Sequence, residues 1–521
     1  MKYIKSRWKK FYLAAAFFLL GLLPYLASVV LDGSASGNPA AYARAFAVSA
    51  AGLAIRYFPH ILTVYVLFIA ILVFFEERNP DRTILWLMTL IFLPVVGIIL
   101  YLLLGPDMKR VRMRKLFKPA RAYPGAEDID LGMLSEHAVK MSILAYRSSS
   151  APICGRNSAE LLTDGEKTFE AIKRELKRAS RYINIEYYIF EDDRLGREIS
   201  AILAERSRAG VKVRMTVDGV GSWKLGRELI GKLQGAGVLF HTFMPVSFPF
   251  FHSRLNYRNH RKIIVIDGEA AFTGGMNVGT EYLGEGPLGY WRDTHVLFRG
   301  EAVRALNEIF LSDWNISSGE KLSATDAEFS APDGAHAPLP VVPLQIVPSG
   351  GSAWRSIRQM YFTMITGAQT RIWITTPYMI PGEAIQEALR TAALSGVDVR
   401  LLIPCESDHF LSHWASFSNI EDLLRAGVRI WLYKKGFLHA KTLVMDDEIA
   451  SIGTANLDSR SLDINFEIQS FIYDEKICSR MSEHFLKDIE GSEECVLSNW
   501  ESRGIRSKIL ESIGRLWSSQ V

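Results

Sequence analysis

The stretch Asn259-His260-Arg261-Lys262-Ile263-Ile264-Val265-Ile266-Asp267 sets a histidine and a lysine before a short apolar run and an aspartate after it. Gly274-Gly275-Met276-Asn277 follows it. The same arrangement returns at Leu438-His439-Ala440-Lys441-Thr442-Leu443-Val444-Met445-Asp446, with Gly453-Thr454-Ala455-Asn456 behind it. In both copies the Asp lies 7 and the Asn 17 positions beyond the His. A single His-x-Lys-x4-Asp arises by chance on the order of a few times per hundred chains of this length. Two copies with a matching Asn and a shared strand pattern are an internal duplication.

The runs Ile263–Ile266 and Leu443–Met445 are strand-like, and residues two apart on a strand share a face. Each copy therefore presents an imidazole beside an ammonium: His260 with Lys262, His439 with Lys441. An imidazole works near neutral pH as nucleophile or as general acid and base. A fixed ammonium suits a phosphate and the charge that develops as it is attacked. Asn277 and Asn456 add neutral donors. Asp267 precedes Gly268, a hairpin signal that favours a structural role for this aspartate.

Around this duplication the chain is organised as α/β. Tyr182–Phe190, the helix-like Gly196–Ala209 and a strand from Gly210 into Gly219 in the first half are answered by Arg371–Ile380, Glu383–Leu394 and Gly396–Arg400 in the second. Strand–helix–strand alternation predicts a mixed, largely parallel sheet covered by helices. The expected halves are 134–320 and 345–500, joined by a Ser, Ala, Asp and Pro-rich linker over 321–344. Residues 501–521 carry Ile505, Ile509 and Ile513 at helical spacing among Arg503, Arg506, Lys508 and Arg515. That is a basic amphipathic helix, read either as a cap on the second half or as a membrane-surface contact. The aromatic stretch Phe248–Tyr257 before His260 has no counterpart before His439, and it is read as a lipid-facing loop or one packed on its own domain.

The first 105 residues differ in character. Phe11–Leu31 and Ile84–Leu104 are long enough to span a bilayer, and Tyr57–Phe75 is nearly uninterrupted. The expectation is a multi-pass membrane region of three apolar helices, with a cleaved signal peptide as the competing reading of the first. Basic residues precede the first span and crowd the linker over 106–133, so an odd number of spans conflicts with the positive-inside rule and the side of the catalytic region stays open. Net charge is +4, which singles out no partner by itself. The four cysteines lie far apart without Cys-x-x-Cys spacing and are read as buried thiols. No zinc-like spacing and no Walker-type loop is present, so no metal and no cofactor is expected.

The double motif resembles the phospholipase D superfamily. Further stretches are similar to the bacterial cardiolipin synthases: Glu186-Tyr187-Tyr188-Ile189-Phe190, Trp291-Arg292-Asp293-Thr294-His295, Asn456-Leu457-Asp458-Ser459-Arg460, and Leu93-Pro94-Val95-Val96-Gly97. The resemblance implies two pseudo-symmetric α/β sandwich halves behind an N-terminal transmembrane region. It implies metal-independent transfer of a phosphatidyl group between two phosphatidylglycerols, giving cardiolipin and glycerol through a phosphohistidine. A hydrolase or another phosphatidyltransferase of the same superfamily is the alternative. The implied catalytic groups are His260, Lys262, Asp267, His439, Lys441 and Asp446, with Asn277 and Asn456 on the phosphate. An acidic residue after the motif orients the imidazole in this superfamily; Glu467 stands 28 positions after His439, and Asp293 is the first-half candidate. His260 is expected as nucleophile and His439 as acid and base. The implied partners are phosphatidylglycerol and cardiolipin in a bacterial cell membrane, and no nucleic acid; nothing in the sequence sets the oligomeric state.

Overall fold

The computed structural model describes residues 80–93, 134–245, 257–329 and 339–518 (without 352), with a few further positions from 60 to 132. Contacts divide the chain into a unit over Met1–Pro106 and a unit over Asp107–Val521. Within the first, the structure describes the helix Pro80–Phe92, which leaves Leu85, Met88, Ile91 and Phe92 exposed. The expected span Phe11–Leu31 and the tip of the loop before His260, with Phe248, Phe250 and Phe251, lie outside the described residues. Among the described residues no helix is long and apolar enough to cross a membrane.

The second unit is built on the strands β1 (Cys154–Leu162), β2 (Tyr182–Tyr187), β3 (Lys212–Asp218), β4 (Leu239–Phe243), β5 (Ile263–Ile266), β6 (Ala270–Gly274), β7 (Trp291–Arg292) and β8 (His295–Gly300), followed by β9 (Val341–Pro348), β10 (Arg371–Thr375), β11 (Met379–Ile380), β12 (Asp398–Pro404) and β13 (Arg429–Tyr433), and then by β14 (Phe437–Leu438), β15 (Thr442–Met445), β16 (Ile449–Gly453), β17 (Leu457–Asp458), β18 (Ile468–Ile472) and β19 (Ser492–Glu494). Fifteen of these form one sheet in the order β19-β13-β12-β10-β15-β16-β18-β9-β1-β8-β6-β5-β2-β3-β4. Read outward from the antiparallel β9–β1 pair, the two sides repeat each other, with β5 matching β15 and β2 matching β10. β9 starts at Val341, inside the stretch expected as linker. Phe329, also in that stretch, packs edge-on to Tyr182 at 5.1 Å.

The sheet is not largely parallel. Only β2–β3, β3–β4, β10–β12 and β12–β13 run parallel within it, and its other ladders are antiparallel. The physical reason is the hairpin inside each motif. Asp267 and Gly268 both take positive φ (54° and 76°), as a two-residue turn matched to strand twist requires, and the chain reverses from β5 into β6. Asp446 and Asp447 do the same between β15 and β16.

One face of the sheet carries a core continuous across both halves. There the helices Glu301–Ser318 and Glu475–Ile489 bury Phe310, Trp314, Ile477 and Met481 against Val265, Phe298, Val444 and Ile452. The opposite face carries a separate core for each half. Aspartates start several helices: Asp164 accepts from Lys167 N, Asp193 from Gly196 N and Asp474 from Ile477 N. All four cysteines are free thiols, but only Cys154 and Cys478 are buried; Cys405 and Cys495 are half-buried.

Candidate active site

Each histidine stands just before its strand, where the chain leaves the sheet and runs beside the other half. His260 N donates to Phe466 O (2.9 Å) and Phe466 N to Arg258 O (2.9 Å). In the second half Phe437–Leu438 pairs in parallel with Trp291–Arg292, and His439 N donates to Arg292 O (2.8 Å). The residues after Phe466 and Arg292 are the carboxylates Glu467 and Asp293, so each imidazole meets the carboxylate of the opposite half. His260 Nδ1 lies 2.9 Å from Glu467 Oε2, and His439 Nδ1 lies 2.7 Å from Asp293 Oδ2. The pairing is therefore exchanged relative to the expectation that each half orients its own histidine. An ionised carboxylate only accepts, so Nδ1 carries the proton and Nε2 keeps its lone pair.

The lysines reinforce this arrangement. Lys262 Nζ donates to His260 O (2.8 Å) and Lys441 Nζ to His439 O, and both ammoniums are fully buried. Burial pulls Lys262 down to about 7 and Lys441 to about 8, with Glu467 and Asp293 opposing the fall. His260 is lowered by burial against the raising field of Glu467, and His439 is lowered further, by burial and Lys441. Glu467 lies below the usual carboxylate range despite its burial, because His260, Lys262 and Thr454 favour its charge. Burial pushes Asp293 up.

The carboxylates are themselves held. Thr454 Oγ1 donates to Glu467 Oε2 (2.6 Å), and Thr294 N donates to Asp293 Oδ1 (2.7 Å). At the place of Thr454 the first half has Gly275, where a Cβ would stand 2.1 Å from Asp293 Oδ1. This close approach explains the Gly-Gly of the first copy.

Asp267 and Asp446 are not at the reacting end. Asp267 accepts from Ser180 N, Arg181 N and Tyr182 N (2.7–2.9 Å), tying the start of β2 to the end of β5. Asp446 does the same with Gln369 N, Thr370 N and Arg371 N (2.8–2.9 Å). Their oxygens are occupied by backbone donors at the far end of the strand from His260 and His439, the structural role that the Asp-Gly turn favours for Asp267 and not the catalytic one that the resemblance implies for both. Asn277 is likewise engaged, donating to Tyr282 Oη (3.3 Å) and accepting from Ile189 N (3.3 Å). Asn456 is buried and bears on Asp458, whose carboxylate caps the short helix Ser459–Asp463.

Motif spacing does not reveal the groups packed around the imidazoles. Tyr188 stands edge-on to His260 at 4.9 Å. Trp291, Phe437 and Tyr282 surround His439 at 5.4–5.9 Å, with Tyr282 Oη 3.2 Å from Nδ1. The signals were partial: Tyr188 and Trp291 fall in stretches that carry the family resemblance, whereas Tyr282 falls in none. Among the described residues no group of three or more His, Cys, Asp or Glu is assembled that could hold a metal ion.

The described geometry places two buried His–carboxylate dyads and two lysines at the junction of the halves. A family model described as the phospholipase D-like domain of cardiolipin synthase matches residues 172–314 and 361–489. A second, described as the phospholipase D-nuclease N-terminal region, matches 61–106. The chain is 41% identical over 478 residues to a cardiolipin synthase of Halalkalibacterium halodurans, covering 88% of this chain and 93% of that protein. It is 43% identical over 466 residues to cardiolipin synthase 2 of Bacillus cereus, covering 88% and 90%. Among solved structures, a phosphatidylserine synthase of Haemophilus influenzae aligns with a TM-score of 0.54 at 15% identity, over 73% of this chain and 98% of that one, a likeness of fold.

Proposed function

This chain belongs to the cardiolipin synthase family of phospholipase D-like proteins, and from that premise we propose that it transfers a phosphatidyl group from one phosphatidylglycerol to another, releasing glycerol. The observation that carries the reading is the exchanged pair of dyads, His260–Glu467 and His439–Asp293, each beside a buried lysine.

His260 Nε2 attacks phosphorus as the bond to the glycerol oxygen breaks, and His439, in its doubly protonated form, delivers its Nε2 proton to that oxygen. His439 then takes the proton from the primary hydroxyl of a second phosphatidylglycerol, whose oxygen attacks phosphorus and releases His260. The ionised Glu467 favours the positive imidazole formed when His260 bonds phosphorus. His439, lowered by burial among aromatic rings, gives up a proton readily. Lys262 and Lys441 neutralise the phosphate oxygens in a poorly solvated site.

A membrane location belongs to the same proposal. The helix Pro80–Phe92 turns apolar side chains outward, as a lipid-facing segment does, and the apolar runs Phe11–Leu31, Tyr57–Phe75 and Ile84–Leu104 suit a multi-pass anchor. Purified protein incubated with head-group-labelled phosphatidylglycerol is expected to form cardiolipin and glycerol in equal amounts. Phosphatidic acid as the main product would make the protein a hydrolase.

A further inference from the structure

The C-terminal helix Ile505–Trp517 lies against the body with its most apolar stripe turned outward. It packs closely on the helix Phe410–Phe417 at Gly514, where a Cβ would stand 2.5 Å from Ala415 N. An ion pair from Arg503 to Glu511 (2.5 Å) pins its first turns. At about 100° per residue, Ile505, Ile509, Ile513 and Leu516 fall on one stripe, on the side away from Gly514. They are 71%, 52%, 42% and 82% exposed. A helix that merely completed a fold would bury this stripe. Exposed basic residues flank it: Lys508 and Arg515 on one side, Arg506 on the other.

Further large apolar side chains are exposed on the turns beside the active site. Phe410, at the start of the helix beneath it, is 64% exposed, and the neighbouring Asp408 accepts from Tyr378 Oη at 2.6 Å. In the first half the matching turn after β3 exposes Trp223 (74%), next to Gly221, which abuts the Tyr188 ring that stands against His260. Both turns leave the sheet at the end where the histidines enter, since β5 runs antiparallel to β2 and β15 to β10.

We propose that this stripe and Phe410 seat on an anionic lipid bilayer, with Trp223 across the mouth, and hold the two histidines at head-group level. The inference rests on the reading that the substrate is a membrane phospholipid. The basic flanks select the occupant: they complement anionic head groups, whereas a second copy seated stripe to stripe would bring like charges together.

The test uses the full chain in vesicles of phosphatidylglycerol or of phosphatidylcholine. A nitroxide at Leu516→Cys, with the half-buried Cys405 and Cys495 replaced by serine, should be oxygen-accessible and shielded from a water-soluble nickel chelate in the anionic vesicles. Exposure to the chelate in both would overturn the proposal, as would concentration-dependent spin–spin broadening in detergent, the sign of a second copy. The Ile509→Asp/Leu516→Asp variant should lose about tenfold in rate on phosphatidylglycerol bilayers and keep its rate on short-chain phosphatidylglycerol in detergent. Equal loss on both with a lowered melting temperature, or no loss on either, also overturns it. If the unaltered protein makes cardiolipin from neither substrate, the functional reading fails while the nitroxide still reports whether the face docks.

Discussion

The ground beneath the two histidines differs between the halves, although the backbone register is shared. Beside His260 the first half has Arg258, Asn259 and Arg261; beside His439 the second has Phe437, Leu438 and Ala440. Glu186 and Asp218 on β2 and β3 are answered by Thr375 and Pro404 on β10 and β12. In the first half these charges form a buried network. Arg258 Nη1 reaches Asp218 at 3.2 Å, and Asn259 N donates to Asp218 at 2.9 Å. Arg261 spans Asp313 (2.5 Å), the carbonyl of Ser349 (2.6 Å) and that of Glu467 (3.1 Å). In the second half Leu438 packs with Trp373, Leu402, Trp431 and Phe485. Both histidines keep their carboxylate and backbone hydrogen bonds, but the floor beneath one is built of directional hydrogen bonds and that beneath the other of aromatic and aliphatic contact. A duplicated site thus became two environments, one whose ionised Glu467 opposes the loss of imidazolium and an apolar one that disfavours imidazolium further.

Breaking the charged floor should have the largest effect. Arg261→Ala removes the buried ion pair of Asp313 and leaves the Ser349 carbonyl without a donor, while the Glu467 carbonyl keeps Ser349 N, for an expected loss of about 3–5 kcal/mol. Leu438→Met on the apolar floor should cost less than about 1.5 kcal/mol. Urea unfolding of the two variants measures the contrast, and equal losses would erase it.

Lys262→Met should lower kcat/KM on the order of a hundred- to a thousandfold by removing a phosphate contact. It should also raise the melting temperature. The folded pKa of Lys262, about 7, lies below its ordinary 10.5, so the cost of holding the ammonium buried is fully present below pH 7 and is relieved as pH rises toward 10.5. The gain over the unaltered protein should therefore be larger at pH 6 than at pH 9; a constant or reversed difference would contradict the burial argument. In the unaltered enzyme the alkaline fall of kcat/KM should reflect loss of the lysine protons.

The dyads sharpen the comparison further. Glu467→Gln should cost about a hundredfold in rate and move the acid limb governed by His260 to lower pH, because an ionised partner is lost. Asp293→Asn should shift its limb less, since burial already raises that carboxyl. Identical displacements in the pH profiles would show that the two environments are equivalent.

The smallest effect is expected at Glu186. Burial and the neighbouring Asp313 push its carboxyl well up, which favours the protonated form that a glutamine replaces closely. Glu186→Gln should change stability by less than about 1 kcal/mol. A loss comparable to that of Arg261→Ala would mean that Glu186 is ionised.

The repeat, the strand–helix order and the His–Lys pairs were legible in the sequence because they are local: a period of two, a fixed spacing and a duplicated string. The exchange of Glu467 and Asp293 was not, since it arises from the parallel bridges Asn259–Phe466 and Leu438–Arg292, which join segments about 150–210 residues apart. The direction of the sheet is hidden in the sequence for a related reason. The Asp267-Gly268 hairpin reverses the chain, yet its consequence for strand order depends on pairing with β2. The amphipathic pattern of Ile505, Ile509 and Ile513 was plain, but the side facing the body was decided by Gly514, a residue outside that pattern.

The division of labour between the halves is tested most directly with an aryl phosphodiester of phosphatidic acid, whose phenolate leaves without a proton. In a rapid-mix experiment, His439→Asn should still release a burst of phenolate stoichiometric with enzyme, with the phosphatidyl group retained on His260, whereas His260→Asn should release none. A burst from His260→Asn and none from His439→Asn would reverse the roles assigned to the two floors.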